Sequence, residues 1–361
     1  MFLHYPSECI CKNEKEKIKI LLRGGKVISY LFFSRVRYAT ISLELLINGG
    51  FIMGKMNKFQ IKSRIDGLTL NGQYIESQAE SCRGIVQIVH GMCEHKERYE
   101  EFMTYLAEHG FSVFIHDKRG HGESVKVAGD LGYMYGGGSE AYLEDILQVN
   151  EFAREKVPGV PVLLFGHSMG FLGVRAFTKI HDDKIDALIV CGSPSKNPAL
   201  GAGMFLAKLQ RTILGAKHKS ELLKKISFGG YEARFKNEPS RVAWLCSVPE
   251  EVKAYEDDPL CGFTFTTDGY VVLFELMQQT YDEKNWLLSK PKLPIHFIAG
   301  ENDPCIENKE KFAEAIEYMK KAGYQDVSSK LYQGMRHEIL NERERKEVFN
   351  DVLAFLESKG F

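Results

Sequence analysis

Gly166-His167-Ser168-Met169-Gly170 is the stretch on which the reading of this chain turns. Ahead of it, Val162-Leu163-Leu164-Phe165 is a short apolar run of buried-strand character, and residues 171–179 behind it have helix length and few breakers. Ser168 is therefore expected at a strand-to-helix turn, a strained conformation in which the positions two before and two after must be small so that strand and helix can approach. Both are glycine. Such a turn lifts the serine oxygen clear of the sheet and sets the Met169 N–H at the start of a helix, aimed where a tetrahedral intermediate carries its negative charge.

Working outward, residues 58–64 and 69–77, joined through Asp66-Gly67, read as a hairpin. Residues 84–90 form a buried strand ending in His90-Gly91-Met92-Cys93-Glu94-His95, followed by a helix with Tyr99, Phe102, Met103 and Leu106 on one face. A strand at 111–116 ends in Asp117-Lys118-Arg119-Gly120-His121-Gly122-Glu123-Ser124, and Ser139 is expected to cap the next helix. Gly136-Gly137-Gly138 lacks the strand, helix and charged partners of a phosphate cradle and reads as a flexible loop. Further strands at 187–191, 294–299 and 329–332 alternate with helices marked by Phe312, Ile316 and Met319 and by Val348, Val352 and Leu356. Two antiparallel strands followed by strand-helix units mean an α/β fold, a mostly parallel sheet with helices on both faces. Ligand chemistry on such a sheet sits at the carboxyl ends of its strands.

A serine hydroxyl needs an imidazole as base, itself oriented by a carboxylate. The strand at 294–299 is followed by Gly300-Glu301-Asn302-Asp303-Pro304, and the last strand by Gln333-Gly334-Met335-Arg336-His337-Glu338. Asp303 and His337 thus stand in the order serine, acid, base. Of the eleven histidines, His337 alone follows the last strand, whereas His90, His95 and His121 lie in turns that can use them structurally and His167 should point away from the serine oxygen. Glu301 is a rival to Asp303.

Together, the His90–His95, Asp117–Ser124 and Gly166–Gly170 motifs and the Asp303 and His337 loops resemble the monoacylglycerol lipase and lysophospholipase-like branch of the α/β-hydrolases, from about residue 57 onward. The resemblance implies an α/β-hydrolase fold, Ser168 as nucleophile, His337 as base, Asp303 as its orienter, and the N–H groups of Met92 and Met169 as the oxyanion hole. It implies a structural role for the Asp117–Ser124 loop. Cys93 stands where the family commonly has a smaller residue, often glycine, which bears on the width of the acyl entrance.

About 100 residues separate the strand at 187–191 from that at 294–299, too many for a crossover of one helix. The expected organisation is a core of residues 53–192 and 292–361 with an inserted helical cap, or lid, at 193–291. Residues 200–226 mix apolar side chains with lysines: the apolar face either packs on the core or lies on an anionic lipid surface. Phe205, Phe263, Phe265 and Phe274 are candidate substrate contacts. Cys93 and Cys305 should adjoin the site, either as targets of thiol reagents or as small apolar filler.

Residues 1–52 carry lysines, short apolar runs and interrupting arginines but no signal-peptide cleavage site and no apolar run of about 18 residues. Gly49-Gly50 shortly before Met53 permits a purine-rich ribosome site, so this leader is expected to be untranslated message, with the start at Met53 or Met56. Any native peptide ending before Met53 would refute that. Its removal takes eight basic and four acidic residues from 47 and 48, leaving −5.

With 361 residues the chain is long for one ordinary domain, and 44% hydrophobic and 26% charged residues describe a soluble globular protein. A net charge of −1 gives no sign of nucleic-acid binding. Eight cysteines without a C-x-x-C pair read as reduced thiols in a cytoplasmic protein, and Cys9-x-Cys11 makes a poor zinc site. No metal or organic cofactor is expected. The expected function is hydrolysis of lipid-like carboxylic esters, monoacylglycerols or lysophospholipids, through an acyl-enzyme. The alternatives are a short-chain carboxylesterase and an aminopeptidase that holds an ammonium group with cap acids such as Glu232, Glu238, Glu250 or Glu251.

Overall fold

The computed structural model describes residues 21–23, 26–28, 54–193 and 196–361. Residues 1–53 form a unit distinct from 54–361, and in it β1 (Leu21–Arg23) pairs antiparallel with β2 (Lys26–Ile28). The rest of the expected leader, with Cys9, Cys11 and the Gly49-Gly50 stretch, lies outside the described residues.

The second unit is built on an eight-stranded sheet of β3 (Asn57–Lys62), β4 (Thr69–Ile75), β5 (Gly84–Val89), β6 (Phe111–His116), β7 (Val162–His167), β8 (Ala187–Cys191), β9 (Ile295–Gly300) and β10 (Val327–Tyr332). Their spatial order is β10-β9-β8-β7-β5-β6-β4-β3, with β4 antiparallel to both of its neighbours, β3 and β6, and β5 to β10 parallel to one another. The expected hairpin is present, and Gly67 turns it at φ +69.

Period-two alternation divides the central strands between two cores. Leu164, Leu188, Val190, Ile295 and Phe297 face one core, completed by Tyr142, Phe171 and Val174 of helices α2 (Gly138–Lys156) and α3 (Met169–His181). Leu163, Phe165, Ala187, Ile189 and Ile298 face the other, closed by α1 (Glu100–Glu108) and the helix Arg345–Ser358. With both faces covered, β5 to β9 are buried throughout, and the loops bearing Ser168, Asp303 and His337 emerge at the carboxyl ends of β7, β9 and β10.

Ser139 does not cap α2: the N-cap is Gly137, and Ser139 sits inside the first turn with its N–H donating to Glu275 at 2.9 Å. The positive φ of Gly138 (+64) starts the helix earlier than the serine implied.

Between β8 and β9 lie α4 (Leu200–Leu214), α5 (Glu221–Arg234), α6 (Pro249–Asp257) and α7 (Thr267–Thr280). The basic stretch read as one helix breaks at Gly215, whose φ is +89. Helix α7 packs into the core beside α3, with Tyr270, Val272 and Leu276 fully buried. On α4 and α5, by contrast, Phe205, Leu209, Ile213, Leu214, Leu222 and Ile226 are exposed, so the simpler reading of a packed apolar face holds only in part. Among the described residues no helix is long and apolar enough to cross a membrane.

Candidate active site

Ser168 occupies the turn between β7 and α3 at φ 54, ψ −124, backbone that L residues rarely adopt. The flanking glycines are needed for space: a Cβ on Gly170 would lie 2.0 Å from the Val89 carbonyl, and one on Gly166 would lie 2.5 Å from Val174. The loop after β5 is equally close, since a Cβ on Gly91 would come within 2.9 Å of Ser168 Cβ.

Asp303 and His337, 34 residues apart, are brought together by the parallel pairing of β9 and β10: His337 Nδ1 donates to Asp303 Oδ2 at 2.9 Å, and both are buried. The other carboxylate oxygen, Oδ1, accepts from the Cys305 N–H at 2.7 Å, which fixes the acid in place. Glu301 pairs with Lys309 instead. Gly192, at the end of β8, leaves room for this pair, because a Cβ there would lie 3.0 Å from the imidazole. His337 and Ser168 line the same cavity. Among the described residues Ser168 Oγ and His337 Nε2 do not hydrogen-bond, a contact that often closes only around the reacting substrate. Neither the Met92 nor the Met169 backbone N–H has an acceptor among the described residues.

Residues 80–344 match the family described as serine aminopeptidase, S33. The chain belongs to this family. It is an α/β-hydrolase of the monoacylglycerol-lipase-like branch. The chain is 27% identical over 283 residues to a monoacylglycerol lipase of Mycolicibacterium smegmatis, covering 76% of this chain and 89% of that one. It is 26% identical over 284 residues to human monoglyceride lipase, with 75% and 80% covered. Among solved structures, a thermostable carboxyl esterase from Bacillus coagulans, in complex with glycerol, superposes with a TM-score of 0.75 at 26% identity, covering 84% of this chain and 98% of that one.

Several residues that build this candidate site were not assigned from sequence. Glu94 accepts from the Gly91 N–H, from Tyr99 OH at 2.8 Å and from Arg98 at 2.8 Å. Arg98 also clasps Glu338, next to His337, through two bonds of 2.6 Å. His167 bridges the two loops, with Nδ1 2.9 Å from Tyr99 OH and Nε2 donating to the His337 carbonyl at 3.2 Å. Burial alone would raise the Glu94 carboxyl, but its bond to His167 and the Arg98 charge outweigh this and hold it well below the usual range. Glu94 is therefore an anion that ties the loop beside the serine to the loop carrying the imidazole. Its place in the His90–His95 motif was the one available signal.

The cavity over Ser168 has a volume of about 770 Å³. Its inner wall includes Phe228, Trp244, Tyr255, Phe263 and Tyr270, with the Trp244 ring 5.2 Å from that of His337. Lys225, Lys236 and Arg241 stand at its exposed mouth.

Of the four expected aromatic contacts, Phe263 lines the cavity. Phe205 instead points outward with 69% of its surface exposed, and Phe265 and Phe274 are core residues. Sequence spacing identifies a helix's apolar stripe but not which neighbour that stripe meets.

Cys93 and Cys305 do adjoin the site, and burial pushes their thiols up to about 12 and about 11 respectively. Both are thus protonated, unactivated thiols, in keeping with the filler reading. Among the described residues two groups bring together side chains of metal-ligand type, His95 with Asp258 and Cys261, and Asp303 with Cys305 and His337. In both the histidine is already hydrogen-bonded to a carboxylate, His95 to Asp258 at 2.8 Å.

Proposed function

We propose that this carboxylic ester hydrolase cleaves lipid-like esters, monoacylglycerols or lysophospholipids, through a covalent acyl-serine. Ser168 Oγ attacks the ester carbonyl while His337 Nε2 takes its proton; Asp303 orients the imidazole and stabilises its charged form. The Met92 and Met169 N–H groups receive the oxyanion. The alcohol leaves with the proton from His337, and a water activated by the same imidazole releases the fatty acid.

The observation that carries this reading is the buried His337–Asp303 pair, whose imidazole lines the same cavity as a serine held at positive φ. The aromatic inner wall suits an acyl chain, and residues 193–291 act as the cap over a core of 53–192 and 292–361. Among the acids suited to an aminopeptidase, Glu250 and Glu251 do not line the cavity and Glu238 pairs with Arg336 at 2.8 Å, which leaves Glu232.

Hydrolysis of a p-nitrophenyl ester series tests the substrate class. The expected result is a maximum at medium or long acyl chains with competitive inhibition by monoacylglycerol. A maximum at acetate would give a short-chain esterase, and turnover of aminoacyl amides in place of esters would give the peptidase.

The exposed Phe205, Leu209, Ile213 and Ile226, with Lys208 and Arg211 nearby, support transient contact of the cap with a membrane surface. Co-sedimentation with anionic phospholipid vesicles should fall several-fold in a Phe205→Ser, Ile213→Ser double variant. Equal binding by variant and parent would refute the contact. The six described cysteines are free thiols, which supports a reducing, cytoplasmic setting; recovery in a secreted fraction would contradict it.

A further inference from the structure

Lys118 follows β6 with its side chain fully buried, yet among the described residues no carboxylate is hydrogen-bonded to its amine. Its Nζ donates at 2.9 Å to the Gly91 carbonyl and lies 5.7 Å from the centroid of the Tyr142 ring. Burial pushes it down to about 7, against the Glu94 and Asp117 carboxylates, which favour its charged form. An amine so placed costs stability that an apolar side chain would not. Its single acceptor shows what it does.

A second donor meets the same oxygen. His90 Nε2 accepts from the Lys118 backbone N–H at 3.0 Å, so the imidazole proton sits on Nδ1, which donates to the Gly91 carbonyl at 2.9 Å. Burial keeps this ring neutral, holding its pKa well below the usual value. The Gly91 N–H is taken by Glu94. Gly91 is thus held at both of its backbone polar groups, by core residues, at the point where its chain lies against Ser168.

The Gly91–Met92 peptide is trans, so its C=O and the Met92 N–H point in opposite directions. Drawing the carbonyl toward Lys118 and His90 turns the Met92 N–H to the other side, and Met92 and Ser168 line the cavity while Lys118 does not. Donors on the carbonyl also polarise the peptide and make its N–H a stronger donor in turn. We propose that Lys118 is a positioning residue for the oxyanion hole: its Nζ sets the plane of the Gly91–Met92 peptide and strengthens the Met92 N–H that meets the developing negative charge. The inference rests on the assignment of Met92 as an oxyanion donor.

The test compares Lys118→Met, which keeps the length of the side chain without the donor, with Lys118→Gln, which keeps a neutral donor. Loss of an oxyanion donor costs about 10²- to 10³-fold in kcat, so misaiming one should cost about 10- to 100-fold. The expected result for Lys118→Met is that fall in kcat with KM within about twofold. Affinity for a trifluoromethyl ketone, which binds as an oxyanion, should fall by the same factor, and Lys118→Gln should recover part of both. Wild-type kcat and ketone affinity in either folded variant would overturn the proposal. So would a loss confined to KM or thermal stability, or a Gln variant no better than Met. Should Lys118→Met fail to fold, Lys118→Gln against wild type decides, unchanged ketone affinity refuting the proposal. Full activity in Ser168→Ala would instead refute the acyl-serine reading itself, whatever the Lys118 variants do.

Discussion

Ser168→Ala is expected to lower kcat for ester hydrolysis by about 10⁶-fold, the cost of removing the serine from a cooperating triad. The protein should remain folded. Alanine loses only the oxygen, and the backbone at φ 54 is imposed by the strand-to-helix crossing of β7 and α3 rather than by a bond from the serine side chain. The contacts that stabilise the elbow, Gly170 against Val89 and Gly166 against Val174, are untouched. The parallel measurement is covalent labelling by a fluorophosphonate, which should be complete in wild type and absent in the variant. Labelling at another residue, or activity within tenfold of wild type, would move the nucleophile elsewhere.

Asp303→Asn is expected to lower kcat at neutral pH by about 10⁴-fold and to move the pH profile toward acid. Burial opposes a charge on His337, but the Asp303 carboxylate at 2.9 Å prevails and holds the imidazole well above its ordinary value. The base works only when neutral, so activity in wild type should rise as pH passes that elevated pKa. Without the carboxylate, burial dominates, the folded pKa falls, and the rising limb of kcat/KM shifts to lower pH. The Asn side chain keeps an oxygen for the Cys305 N–H, so the loop should hold its shape while the imidazole loses its anionic partner and its tautomer. A limb that stays in place, or moves to higher pH, would exclude Asp303 as the partner in catalysis. Glu301→Gln is the control: that carboxylate pairs with Lys309 and should leave both rate and profile unchanged.

The positions of Ser168, Asp303 and His337 at strand ends were legible because each depends on local pattern. An apolar run of strand length, a turn and a periodic helix leave marks within about ten residues. Chain order alone left Glu301 open, because two carboxylates two residues apart stand equally well after a strand. The choice came from the side-chain directions after β9, one toward His337 and one toward Lys309.

The segment between β8 and β9 was much less legible. Its length and apolar content could be read, but its aromatics could not be assigned to faces. Phe205 turns outward, Phe265 and Phe274 join the core, and the ring that this segment tilts against the imidazole, at 5.2 Å, is Trp244, in a stretch with no motif. The Ser139 cap failed for a smaller reason: Gly137-Gly138 admits backbone that starts the helix before the serine.

The α/β class, the strand-to-helix turn at Ser168 and the chain order of Ser168, Asp303 and His337 at strand ends follow from short-range periodicity and the steric demands of glycine. The tertiary packing set which acid meets His337, which side chains of residues 193–291 line the cavity, and the convergence of Lys118, Glu94 and His90 on a single residue, Gly91. Those contacts join residues distant along the chain, and their directions are set by packing between elements, which no local pattern encodes.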